Sequence, residues 1–65
     1  MKIVVNGKSE KVCADTVADY IHARGLDFKT LVVAYNDCVI KQPLWEETRL
    51  CEGDHLELLS FVGGG

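Results

Sequence analysis

The sequence predicts an α+β fold: a mixed sheet of four to five strands with one main helix packed across it. Three observations carry that reading. A strand–turn–strand pattern surrounds Asn6-Gly7, a second surrounds Asn36-Asp37, and between them lies one stretch with helical periodicity. An apolar run, HLELLSFV, then closes the folded part of the chain. With 65 residues, one domain is the expected count. A domain of that size buries roughly 60% of the surface its unfolded chain exposes, so its stability is expected to be modest.

The elements follow in order. In MKIVVNGKSEKVCA, Asn6-Gly7 readily takes positive φ at both positions, as a tight hairpin turn requires. Met1–Val5 and Lys8–Cys13 are therefore expected to pair antiparallel. Met1, Ile3 and Val5 share one face of the first strand, and Val4 makes the other face apolar too, which suits an interior strand. Thr16 is a good N-cap, with Asp19 three residues on as a shortened capping box. Val17, Tyr20 and Ile21 form a core-facing stripe, and Gly25 suits the residue that ends a helix in the left-handed region. The spacing predicts a helix over Thr16–Arg24.

Leu31–Tyr35 is rich in strand formers, Asn36-Asp37 is a turn signal, and Cys38–Ile40 reads as a short return strand. Pro43 belongs in a short helix or 3₁₀ turn, because it cannot sit inside a paired strand. Leu44 and Trp45 are expected to cover one end of the core, and Arg49–Cys51 to form a further short strand. Gly53-Asp54 makes the last turn. In the closing run Leu59, Phe61 and Val62 break the alternation, which predicts a bulge or a strand whose far end meets a partner. The first and last strands, both strongly apolar, are expected side by side in the middle of the sheet. That arrangement is the β-grasp.

Composition narrows the function. The formal net charge is −3 and the isoelectric point about 5.1, with seven basic residues scattered among ten acids. Nucleic acid is a poor expected partner, since phosphate binding needs a basic patch. No apolar run approaches the length that crosses a bilayer, so no membrane partner is expected. Cys13, Cys38 and Cys51 fit no zinc spacing, and the chain opens on a strand-like segment rather than a signal sequence. Free thiols in a reducing cytoplasm are the natural expectation. The three cysteines are expected to behave as small, buried apolar residues, since no basic neighbour in sequence activates a thiolate. His22 and His55 are expected to be solvated, and no catalytic or metal-binding constellation stands out.

The chain ends FVGGG. Residues 1–62 read as the folded domain and residues 63–65 as a flexible glycine tail. Fully extended, Val62–Gly65 spans about 13 Å, enough to enter a buried site in another protein. Side chains at Gly63, Gly64 and Gly65 would widen the channel required.

Together these features resemble the ThiS family, the ubiquitin-like β-grasp sulfur carriers of thiamine biosynthesis. The resemblance rests on the opening strand with Asn6-Gly7, Thr16-Val17, the strand from Val32 to Asn36, and the Pro43–Trp45 segment. It rests also on Gly53-Asp54 and the ending Phe61-Val62-Gly63-Gly64-Gly65. One departure is the third glycine, where the family often ends in two after a variable residue. The resemblance implies a protein co-substrate rather than an enzyme, with no bound cofactor and no catalytic side chain. It implies that an ATP-dependent activating enzyme adenylates the carboxylate of Gly65. Sulfur from a cysteine desulfurase or another donor then displaces AMP to give a thiocarboxylate, and thiazole synthase receives the sulfur. Gly63, Gly64 and Gly65 would enter the partners' active sites. Leu59 and Phe61 themselves read as partly core, the alternative being that one of them emerges with Val62 beside the tail as an apolar docking contact. A molybdopterin-type sulfur carrier, a ubiquitin-like protein modifier and an interaction module with an inert tail are the alternatives.

Overall fold

The computed structural model describes residues 1–60. Phe61, Val62, the glycine tail and the domain boundary expected after residue 62 lie outside the described residues. The element order is β1 (Lys2–Val5), β2 (Lys8–Lys11), α1 (Val17–Arg24), β3 (Leu31–Tyr35), β4 (Cys38–Ile40) and β5 (His55–Ser60). Two 3₁₀ turns, Phe28–Thr30 and Gln42–Leu44, complete it. The sheet has five strands in the order β2-β1-β5-β3-β4. β1 and β5 run parallel at its centre, and the other pairings are antiparallel.

Local chemistry explains most of these elements. Asn6 and Gly7 take φ of 50° and 82°, and Asn36 and Asp37 take 48° and 71°. Two consecutive positive φ values match the right-handed twist of the strands each turn joins. The Thr16 hydroxyl accepts the Asp19 N–H at 3.1 Å and starts the helix. Gly25, at φ 66°, ends it, donating to the His22 carbonyl at 3.0 Å while Leu26 reaches back to Ile21 at 3.3 Å.

The core lies between α1 and one face of the sheet. Ile3, Val17, Val33 and Leu56 are sealed from solvent, and Trp45 closes one end with its indole N–H on the Ile40 carbonyl at 3.1 Å. Leu44, expected beside it as a lid, is instead exposed. It belongs to the 3₁₀ turn that carries Pro43, and that turn directs Trp45, not Leu44, inward.

The segment Arg49–Cys51 is not a strand either. Arg49 makes a single bridge to Thr16, and the Leu50 N–H donates to Asp15 at 2.9 Å. Nearby, the N–H groups of Val17 and Ala18 donate to the carbonyls of Thr48 and Trp45. A helix leaves its first N–H groups without internal partners, and here the returning chain supplies them. The expected bulge in the last strand is also absent among the described residues. β3 and β5 pair in unbroken register from Leu31↔Ser60 to Tyr35↔Leu56.

Candidate functional site

The period of two along β5 sends Leu56 and Leu58 to the helix side and His55, Glu57 and Leu59 to the opposite, open face. Leu59 therefore does not break the alternation. It keeps the period and places an apolar side chain in solvent, 64% exposed. Register gathers its neighbours: Leu59 lies opposite Val32, Glu57 opposite Ala34, and Ala34 opposite Val39. Val39 is 70% exposed. Val32, Ala34, Val39 and Leu59 thus form one apolar patch on the open face, around a shallow depression of about 480 Å³ that Asn6 and Glu57 border. Such a grouping of apolar side chains on an open sheet face is different from the isolated apolar residues scattered over an ordinary surface. This patch lies on the strand that leads into the FVGGG ending.

The start of β5 is clasped by polar groups. The Tyr35 phenol donates to Asp54 Oδ2 at 2.7 Å and faces the Arg49 carbonyl at 3.1 Å. Asp54 also accepts from the Cys51 N–H at 2.7 Å and the Asn36 side-chain amide at 3.3 Å, and Asn36 Oδ1 accepts the His55 N–H at 2.9 Å. The hydrogen bond to Asp54, with burial and the carboxylate's charge, pushes the Tyr35 phenol up to about 12. Burial pulls the Asp54 carboxyl up, but the hydrogen bonds from Tyr35, Cys51 and Asn36 outweigh it and hold the group below its usual range.

A second cluster ties α1 to β2. Tyr20 donates to Glu10 at 2.9 Å, Arg24 reaches the same oxygen at 3.1 Å, and the guanidinium stands 5.8 Å from the centre of the Tyr20 ring. Burial, then the bond to Glu10, raises the Tyr20 phenol. Glu10 had no sequence signal beyond its place in a strand, because its partners come from a helix ten and fourteen residues away.

Cys13, Cys38 and Cys51 are all exposed free thiols. That corrects the expectation of buried small residues. Cys13 lies past the end of β2, Cys38 opens the edge strand β4 and Cys51 sits in the loop before β5, so none reaches the core. His22 and His55 are exposed as expected. Among the described residues, no group of three His, Cys, Asp or Glu side chains is placed to hold a metal ion. No described helix is long and apolar enough to cross a membrane. Of the site residues expected from sequence, Leu59 is on the open face, while Phe61, Val62, Gly63, Gly64 and Gly65 lie outside the described residues.

A sheet in this order, crossed by one helix and closed by an apolar strand, is matched by the model of the ThiS family over residues 3–65. The chain belongs to the ThiS family. It is 35% identical over 63 residues to the sulfur carrier protein ThiS of Bacillus subtilis, a match that covers 94% of this chain and 96% of that one. The crystal structure of the thiamine biosynthesis protein ThiS from Geobacter metallireducens superimposes with a TM-score of 0.84 at 30% identity over the full length of both chains. The ThiS fold is a β-grasp, as the element order predicts. The whole chain also aligns at 30% identity with a thiazole synthase of Paramagnetospirillum magneticum, spanning 20% of that protein's length. This chain is thus a homologue of the ThiS sulfur carriers, which are not enzymes.

Proposed function

We propose that this protein carries sulfur as a thiocarboxylate on Gly65 for formation of the thiazole of thiamine, working in the cytoplasm. The observation that carries this reading is the apolar patch around Leu59 on the open face of β5, the strand that runs toward Phe61, Val62 and the three glycines of a ThiS-family chain. A partner that covers the patch receives the tail in its own active site.

The chemistry needs little from the carrier beyond reach. A carboxylate is a poor electrophile. Attack by the Gly65 carboxylate on the α-phosphorus of ATP releases pyrophosphate and leaves an acyl adenylate, whose AMP is a good leaving group. Sulfide displaces AMP to give the thiocarboxylate directly, whereas a donor persulfide displaces AMP to give an acyl disulfide, whose S–S bond a thiol then breaks, releasing the thiocarboxylate and leaving a disulfide on the donor. The adenylating enzyme binds the ATP, and a cysteine desulfurase or another donor supplies the sulfur. Thiazole synthase consumes it, and the likeness of this chain to a fifth of one thiazole synthase supports that enzyme as a partner. Gly63 and Gly64 keep the tail narrow enough to approach the reacting groups.

The test is the intact mass after incubation with ATP, an adenylating enzyme and a sulfur source. A gain equal to exchange of one oxygen for sulfur, mapped to Gly65, is expected. An unchanged mass, with the adenylating enzyme shown to charge another carrier, overturns the reading.

A further inference from the structure

The parallel pairing of β1 with β5 stops before β5 does. Val4 lies opposite His55 and Val5 opposite Leu56, after which β1 turns away at Asn6-Gly7. β5 continues to Ser60, still paired on its other side with β3. Among the described residues, its last positions therefore have a strand on one flank only.

The hydrogen-bond pattern identifies which backbone groups face that open flank. The Asn36 N–H donates to the His55 carbonyl at 2.8 Å, which makes these residues a hydrogen-bonded pair of the antiparallel ladder. Alternation then aims the backbone groups of Glu57 and Leu59 at β3, and those of Leu56, Leu58 and Ser60 toward β1. The contacts across that side agree: the Asn6 N–H donates to the Leu56 carbonyl at 2.9 Å, and the Asn6 side chain accepts the Leu58 N–H at 2.8 Å. Asn6 thus extends the β1 ladder by one bond with its side chain, and there it ends. Among the described residues, nothing donates to the Leu58 carbonyl or accepts from the Ser60 N–H.

Below this open edge, on the helix side, lies a groove of about 380 Å³ whose walls include Lys8, Tyr20, Arg24, Leu58 and Ser60. Above it lies the apolar patch with Leu59. An added strand would alternate its side chains between the two. Lys8 and Arg24 give the groove a cationic rim, partly offset by the Glu10 carboxylate that Arg24 already holds. A side chain entering it with a carboxylate is the complementary one.

We infer that thiazole synthase lays an extended acidic segment along this flank. Its main chain bonds the Leu58 carbonyl and the Ser60 N–H and so continues the ladder that β1 leaves at Asn6. The inference rests on the docking described under Proposed function and adds the mode of contact. Its physical basis is that a partner covering the Leu59 patch also takes water from these two backbone groups, and buried backbone groups need partners. Strand addition to a sheet edge provides them.

A single-atom change tests it. Cys51 is exposed and allows a synthetic 51–65 segment to be ligated to residues 1–50. In that segment the Leu59–Ser60 amide is replaced by an ester, which removes the Ser60 N–H while keeping every side chain. Dissociation constants for thiazole synthase are measured by calorimetry for the ester chain, the all-amide chain made the same way, and the Lys8→Glu chain. The ester is expected to weaken binding about tenfold, with only a small fall in melting temperature from the weaker Leu59 ester carbonyl facing β3, because among the described residues the Ser60 N–H holds no bond, and affinities are compared well below both melting temperatures. Lys8→Glu is expected to weaken it also, more so at low salt. An ester chain that binds as tightly as the amide chain overturns the inference. An all-amide chain with no affinity for thiazole synthase overturns the docking reading itself.

Discussion

Tyr35 and Asp54 are joined across the mouth of the β3–β5 ladder by a 2.7 Å hydrogen bond from phenol to carboxylate Oδ2. The same oxygen accepts the Cys51 N–H, so one carboxylate fixes both the end of β3 and the loop that enters β5. The pair gives stability a dependence on pH at each extreme. Tyr35 is raised from 10.0 to about 12, so its contribution is complete below the unfolded value and is lost as pH rises from about 10 toward 12. Asp54 is lowered, so its contribution is present above the ordinary carboxylate range and is lost as pH falls through the folded value. Urea unfolding followed across pH should show a plateau near neutrality with a fall on both sides. Tyr35→Phe should cost about 1–2 kcal/mol at pH 7 and make the alkaline fall shallower, leaving the part that the raised Tyr20 phenol contributes. If the variant loses stability between pH 10 and 12 as steeply as the parent chain, the bond is not its source.

The helix start offers a simpler measurement. Thr16 caps α1 through a 3.1 Å bond and also bridges Arg49. Thr16→Ala should destabilise the fold by about 1 kcal/mol, and Thr16→Ser by much less, since the hydroxyl carries the cap. Equal losses in the two variants, measured by denaturant unfolding, would assign the effect to the lost methyl group instead.

How far these features could be read from sequence follows from the range of the interactions. Asn6-Gly7, Asn36-Asp37, Thr16 and Gly25 declare themselves because each acts within a few residues, through φ preference or a cap. The central β1–β5 pair was legible too, because an interior strand is apolar on both faces. What escaped depends on contacts distant in the chain. Whether Leu44 or Trp45 turns inward is decided by the geometry of a three-residue turn, and Arg49 meets Thr16 only once the helix is docked. The orientation of Leu59 follows from its register with Val32, so in sequence it looked like a broken pattern rather than a regular strand with an apolar outer face. The cysteines look like core residues by type and lie outside it by position.

Two leucines three residues apart separate docking from folding. Leu56 is 1% exposed on the core face and Leu59 is 64% exposed on the open one. Leu56→Ala should cost about 2–5 kcal/mol of stability, as for large-to-small core substitutions. Leu59→Ala should change stability by no more than about 0.5 kcal/mol yet weaken binding to the adenylating enzyme or thiazole synthase about tenfold. Val39→Ala should act in the same direction as Leu59→Ala. Unaltered affinity in both surface variants would remove the patch from the interface.

The exposed thiols invite a sulfur role that the carrier chemistry does not require. Iodoacetamide should label Cys13, Cys38 and Cys51 in the folded state at comparable rates, in keeping with their exposure. Serine at all three positions should leave charging of Gly65 within about twofold of the parent rate, since the sulfur is carried on the terminal carbon and surface substitutions cost little. A triple variant that is adenylated normally but acquires no sulfur would place one of these thiols in the transfer.

The terminal carbon itself is tested by moving it. One alanine added after Gly65 puts the carboxylate about 3.5 Å farther along an extended chain and introduces a side chain where the tail must be narrow. Melting temperature and docking through Leu59 should be unchanged, while ATP–pyrophosphate exchange by the adenylating enzyme should fall by at least about a hundredfold, given what a displacement of about 1 Å can cost a positioned reaction. Val in place of Gly64 should also slow exchange while leaving the terminus where it was. If the extended chain, shown by mass to retain its alanine, is charged at the parent rate, the reacting group is not the Gly65 carboxylate.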